Sequence, residues 1–333
     1  MEIIVDQRIE LLGVIQTLCG YWDYFGQKYL GKTHYQCTYK DEVIKYFEKY
    51  KKHETLKLYN HLCKEDPDIS HYFQFILILG YSELPELNCI TNYDNDYYFY
   101  LSQKSNWKAF AESMKTFYKD TNFKDFFYNN KNKYEKLLSD FGNKDELINW
   151  SNLIFNYLSI NNDNNYKIII SSLIMGCYGI KIKINEILTM NYPILSPNDY
   201  KNNKYLFDYG EPINHVLWHE ISHTVINDLT GKYIDNFDVK NIEIPEKIKN
   251  IGYTNIKTVI DEYIIRTIVY LLTELSEGDK SAVLQYEYEF KLGFTEIENI
   301  KEYIKENCEE NNKLLKDDNY IKLIKYVIEK IKN

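Results

Sequence analysis

His219-Glu220-Ile-Ser-His223 is the stretch of this chain whose residue types and spacing define a chemistry. Histidines four residues apart lie one turn apart on the same side of a helix. Both imidazoles can therefore reach a single Zn²⁺, and the glutamate beside them can take a proton from a water held there. Histidine is scarce, seven in 333 residues, so the motif is no by-product of composition. Two histidines leave a catalytic zinc site one protein ligand short of the usual three. No further histidine follows at the x-x-G-x-x-H spacing, and His215 lies two turns, about 12 Å, from His223 on a straight helix. The best candidate for the third ligand is Glu262, 39 positions beyond His223 in a strongly apolar stretch, with Asp261 as the alternative. Arg266, four residues further on, is placed to pair with Glu262 and orient it. Amide hydrolysis would also need a donor for the developing oxyanion, for which Tyr253, Tyr263, His215 and Arg266 are candidates.

The surrounding pattern must hold these groups in place. Pro212 is preset for a first helical turn. Ile213, Val216, Leu217, Ile221, Val225 and Ile226 then recur at helical steps until Gly231 offers a stop. Residues 259 to 272 are apolar on nearly every face, as a buried helix is. Ahead of the motif, Tyr166 to Ile174 and Tyr178 to Ile184 are β-branched and read as a hairpin. In the second stretch Ile180, Ile182 and Ile184 alternate with Lys181 and Lys183, as on an edge strand. A further short strand is expected within 187 to 194, ahead of Pro193, followed by a polar loop. The polar run 161 to 165 marks the expected boundary between a helical N-terminal region, 1–160, and a catalytic region with C-terminal helices, 161–333.

In the first region a helix over 6 to 19, capped by Asp6, is expected to begin the fold. Two or three helices follow between 41 and 79, the last bounded by Pro67 and Gly80. A loop is expected over 92 to 98, and helices over 105 to 119 and 121 to 140, where Trp107, Phe110, Met114 and Phe117 form a core stripe. Gly26 to Thr33 formally satisfies the phosphate-loop pattern G-x-x-x-x-G-K-T. That pattern is credible only between a buried strand and a helix, and the residues before Gly26 are not strand-like. The charged helices expected over 283 to 333 read as solvated faces with no part in the chemistry.

A net charge of −9 and a pI near 5.4 argue against nucleic-acid or anionic-membrane partners. No secretory signal and no run of roughly 20 apolar residues is seen. The six cysteines are scattered singly, as in a reduced, cytosolic protein.

The motif with a distant Glu262 resembles the gluzincin group of zinc metallopeptidases. More of the chain is similar to a bacterial family of unknown function usually assigned to that group. Val5-Asp-Gln-Arg-Ile-Glu-Leu-Leu12, Phe117-Tyr-Lys-Asp-Thr-Asn-Phe-Lys-Asp-Phe-Phe127 and Trp218 to Asn227 carry that similarity, which spans most of 1 to 275. The resemblance implies a zincin-like catalytic lobe with a helical N-terminal region. The expectation is therefore a mainly helical α+β fold, with a small mixed sheet beside an active-site helix. His219, His223 and Glu262 would bind Zn²⁺, and Glu220 would activate the zinc-bound water against a peptide or protein substrate. A helical binding or scaffold protein with a structural or degenerate zinc site is the alternative.

Overall fold

The computed structural model describes residues 1–65, 71–91, 105–160, 165–185, 188–308 and 314–332. The chain has a mainly helical α+β fold with a small mixed sheet. It forms two compact units, Met1–Lys144 with Asn164–Asp208, and Asp145–Asp163 with Tyr209–Asn333. This division does not fall at residue 160, because the chain enters the second unit, returns to the first, and leaves again. The sheet belongs to the first unit and the motif helix to the second. Pro67, the expected loop at 92–98 and residues 161–164 lie outside the described residues.

The first unit opens on a strand, β1 (Glu2–Ile4), where a helix was expected to begin the fold. Helix α1 (Gln7–Leu18) follows. The Asp6 carboxylate accepts from the amides of Arg8 and Ile9, satisfying two of the donors that a helix start leaves open. The other strands are β2 (Lys167–Ile170), β3 (Tyr178–Lys183) and β4 (Thr189–Leu195), and the sheet order is β1-β2-β4-β3. β2 and β3 are therefore not a hairpin. Ile168, Ile169 and Ile170 are fully buried, and a strand apolar on both faces takes a neighbour on each side. β2 pairs in parallel with β1 and β4. β3 is an edge strand, antiparallel to β4, with Ile180 and Ile182 buried and Lys183 exposed. β4 runs through Pro193, which faces Gly179 just ahead of the two residues that pair with β2. The expected polar loop beyond it contains a small hairpin, Asp199–Lys201 with Lys204–Leu206. Asn202 and Asn203 both take positive φ, the conformation that two-residue hairpin turns require.

Gly26–Leu30 is one π-helical turn continuing the short helix α2 (Tyr21–Phe25). A helix and not a strand leads directly into it, so the strand-to-helix context that the phosphate-loop pattern requires is missing. The remaining helices of this unit are α3 (Thr38–Phe47), α4 (Glu54–Glu65), α5 (His71–Leu79), α6 (Ser105–Asp120), α7 (Phe123–Asn129) and α8 (Lys131–Phe141). The stretch expected as one helix over 121 to 140 is thus two, broken at Asn130, whose side-chain amide donates to the Phe126 carbonyl. Trp107, Phe110, Met114 and Phe117 are buried, as a core stripe. Within this core Glu10 is 1% exposed. Its carboxylate accepts from the Tyr39 hydroxyl at 2.6 Å and the Ser171 hydroxyl at 3.2 Å, and burial pushes its pKa up to about 7.

In the second unit, α9 (Lys144–Tyr157, from its second residue on) is joined by α10 (Ile213–Tyr233), α11 (Glu246–Asn250), α12 (Ile256–Glu277), α13 (Asp279–Leu292), α14 (Ile297–Asn307) and α15 (Asp317–Lys332). α10 is the motif helix. It passes through Gly231, because its packing along α12 outweighs the local cost of a glycine. α12 is the predicted buried helix, with every residue from Val259 to Thr273 buried, three charged ones included. All six cysteines are free. No helix among the described residues is long and apolar enough to cross a membrane.

Candidate metal centre

α10 and α12 lie against each other and bring three ligand-bearing side chains together. His219 and His223 are one turn apart on α10, and their Nε2 atoms are 3.0 Å from each other. From α12, Glu262 places Oε1 3.3 Å from His223 Nε2 and Oε2 3.6 Å from His219 Nε2. A tetrahedral ion with bonds of ~2.05 Å has ligand-to-ligand edges of ~3.3 Å, and these three separations bracket that value. The imidazoles are also correctly turned. His223 Nδ1 lies 3.0 Å from Asn227 Oδ1, one turn further along α10, so Nδ1–H donates there and leaves the Nε2 lone pair for the cluster.

The electrostatics favour a cation at this point. Burial would lower the pKa of His223, but the carboxylates of Glu262 and Glu220, with Asn227, outweigh it and raise it to about 9. Burial likewise opposes ionisation of Glu262, yet the Arg266 guanidinium and the two imidazoles hold its carboxyl well below the usual range. Glu262 is 2% exposed. An ionised carboxylate so placed is tolerable only when paired, and Arg266 Nε supplies one partner at 2.9 Å. The residues present fit a zinc ion.

Glu220 stands beside this cluster. Its side chain is 6% exposed, its carboxylate has no hydrogen-bond partner among the described residues, and burial raises its pKa. A buried carboxyl with free oxygens and a raised pKa is suited to exchanging a proton with a reactant.

The remaining sequence candidates separate. Asp261 is turned to Lys257 at 2.7 Å and is not in the cluster. His215 is 2% exposed and is not in the cluster. Nδ1 is 2.9 Å from Gln285 Oε1, Nε2 is 2.9 Å from Glu277 Oε1, and the ring stacks on Trp218. The Tyr263 hydroxyl points to the Gly293 carbonyl, and Arg266 is occupied by carboxylates. Of the four hydroxyl, imidazole and guanidinium candidates, Tyr253 is the one left with a proton to donate. Its hydroxyl accepts from Arg266 Nη2 at 3.3 Å, its own proton has no acceptor among the described residues, and burial, with Glu262 and Glu220 nearby, keeps the phenol protonated.

A family model described as a domain of unknown function, DUF4932, matches residues 1–331. The chain belongs to that family. No curated protein and no solved structure matches it.

In this DUF4932 chain some site residues escape a reading of the sequence. Asn227 was legible in principle, one helical turn beyond His223. Glu289 and Gln285 were not. They lie in the charged C-terminal stretch expected to be solvated, yet both are buried beneath Arg266 and His215.

Proposed function

We propose that this chain is a zinc-dependent hydrolase, most simply a metallopeptidase of the gluzincin kind. The observation that carries the reading is the convergence of His219 Nε2, His223 Nε2 and the Glu262 carboxylate within 4.8 Å of one another, beside the unpartnered carboxylate of Glu220. His219, His223 and Glu262 would hold the ion. When bound, zinc supplies Lewis acidity toward a carbonyl oxygen and makes water easier to deprotonate near neutral pH.

The chain's own groups account for the rest. Glu220 takes the proton of the attacking water on its free carboxylate oxygen and returns it to the departing amine nitrogen. Tyr253 donates its hydroxyl proton in a hydrogen bond to the carbonyl oxygen as charge builds there, and Arg266 braces that hydroxyl at 3.3 Å. Asn227 keeps His223 in the tautomer that presents Nε2. The imidazoles are about 15% exposed, which leaves an approach for a peptide substrate. Six free cysteines accord with a reducing, cytosolic location.

The test is metal content by elemental analysis on protein prepared without added metal, for wild type, His223→Ala and Glu262→Ala. The expected result is one zinc per chain, lost or sharply reduced in both variants. A peptide library should then be cleaved by wild type and left intact by Glu220→Gln, which retains its zinc. No zinc in the wild type after reconstitution overturns the proposal. Zinc without cleavage leaves a structural site in a helical binding protein.

A further inference from the structure

The arrangement of α13 is inverted. Its inward stripe is Ala282, Gln285 and Glu289, the two polar residues 4% and 1% exposed, while Val283, Leu284 and Phe290 face outward at 51%, 61% and 46% exposed. A helix placed for stability alone would turn the other way, since apolar burial is favourable and burial of a carboxylate is not. What the inner stripe gains is a continuous set of hydrogen bonds to the metal centre. Gln285 Nε2 donates to Glu289 Oε1 at 2.9 Å, Glu289 Oε2 accepts from Arg266 Nη1 at 2.5 Å, and Arg266 Nε donates to Glu262 Oε2 at 2.9 Å. Gln285 is fixed in its turn. Nε2 also reaches Glu211 at 3.3 Å, which leaves Oε1 to His215 Nδ1.

We infer that Glu289, presented by α13 and held by Gln285, is a positioning residue for the zinc ligand Glu262, acting through Arg266. The inference rests on the zinc reading above. The reason is charge as well as direction. A divalent ion with Glu262 and Glu220 is neutral as a set, and Arg266 with Glu289 is a second neutral set. Removing the charge of Glu289 would leave a buried guanidinium, 7% exposed, unbalanced against the ligand carboxylate and opposing the incoming cation. Second partners of metal ligands typically govern about 10- to 100-fold in affinity.

The experiment is Zn²⁺ titration of the metal-stripped full chain against a chromophoric chelator, with the visible absorption spectrum of the Co²⁺-substituted protein as the measure of ligand geometry. Glu289→Gln is expected to lower zinc affinity by about 10- to 100-fold and to shift the Co²⁺ bands. Glu289→Asp, which keeps the charge, recovers most of the affinity. Leu284→Ser, on the outer face of the same helix, matches wild type in both readouts. Should Glu289→Gln not fold, Gln285→Leu removes the hydrogen bond that holds Glu289 and is expected to show a smaller loss with the same spectral shift. Affinity within about twofold of wild type and an unchanged Co²⁺ spectrum in the folded variants, with binding abolished in His223→Ala, overturns the inference and leaves the zinc site standing. A wild type that takes up no zinc overturns the site itself.

Discussion

Glu10→Gln should stabilise the first unit at alkaline pH and leave it nearly unchanged in acid. Glu10 is 1% exposed on α1, and burial pushes its pKa up to about 7 from an ordinary 4.5, although Tyr39 and Ser171 donate to its oxygens. Well below pH 4.5 the folded and unfolded chains both carry it protonated, and it costs nothing. Between 4.5 and 7 the unfolded chain gives up its proton first, so stability falls as pH rises. Above 7 both forms are ionised and the cost is constant. At about 1.4 kcal/mol per pH unit, the full cost is on the order of 3 kcal/mol, of which roughly 2.5 kcal/mol accrues between pH 5 and pH 8.5. Glutamine cannot ionise, and its amide can still donate to the Tyr39 oxygen, which is itself 2.8 Å from the Tyr134 hydroxyl. Urea melts of both proteins at the two pH values, followed by circular dichroism, measure the difference. The variant-minus-wild-type stability should grow by about that amount on going to pH 8.5, corresponding to a shift in urea midpoint on the order of 1 M. A difference that does not change with pH would refute the reasoning.

Asn227→Ala should weaken zinc binding by about tenfold without altering the melt, because His223 Nδ1 loses the acceptor that fixes its tautomer; chelator competition reads this directly, and Asn227→Asp, which keeps an acceptor there, should bind close to wild type. Gly13→Ala should cost about 1 to 3 kcal/mol by overpacking, since a Cβ at that position would lie 2.8 Å from the Leu173 Cβ. Thermal melts would show the loss, and in a Leu173→Gly background, which lacks that Cβ, Gly13→Ala should cost clearly less if the clash is the cause.

The features legible in the sequence are those written in local spacing. The motif helix, the buried helix carrying Glu262 and the i,i+4 pairing of Glu262 with Arg266 all follow from residues within a few turns of each other. Asp261 and Glu262 are adjacent, and local pattern alone cannot choose between them. The choice is made by the rotation of α12 against α10, which turns Glu262 to the histidines and Asp261 to Lys257. The strand β1 is hidden for a different reason. Glu2–Ile4 is three residues long and finds its partner at Lys167–Ile169, so its strand character comes from a pairing that no nearby residue announces. The misread hairpin has the same origin, for β-branched runs identify strands but not their neighbours. α13 deceives most directly: Val283, Leu284 and Phe290 suggest the face to bury, and the structure buries Gln285 and Glu289 instead. Local rules break where another demand prevails, and here the prevailing groups lie on Arg266.

The route of the chain through its two units bears on how the protein can be dissected. Residues 145–163 belong with 209–333, and the sheet strands intervene. A fragment beginning at Tyr209 would contain His219, Glu220, His223 and Glu262, and would look self-sufficient on paper. It would lack α9, whose Trp150 carbonyl accepts from Trp218 Nε1 at 2.8 Å, directly beside His219. The reciprocal fragment ending at Lys144 would lack β2, β3 and β4, leaving β1 with nothing to pair. No single cleavage point yields an intact half, and during synthesis the first strand must wait until about residue 170 has emerged before its neighbour exists. Excising the unit that carries the His219, His223 and Glu262 cluster therefore calls for joining the segment that ends at Asp163 directly to Tyr209, an internal deletion and not a truncation.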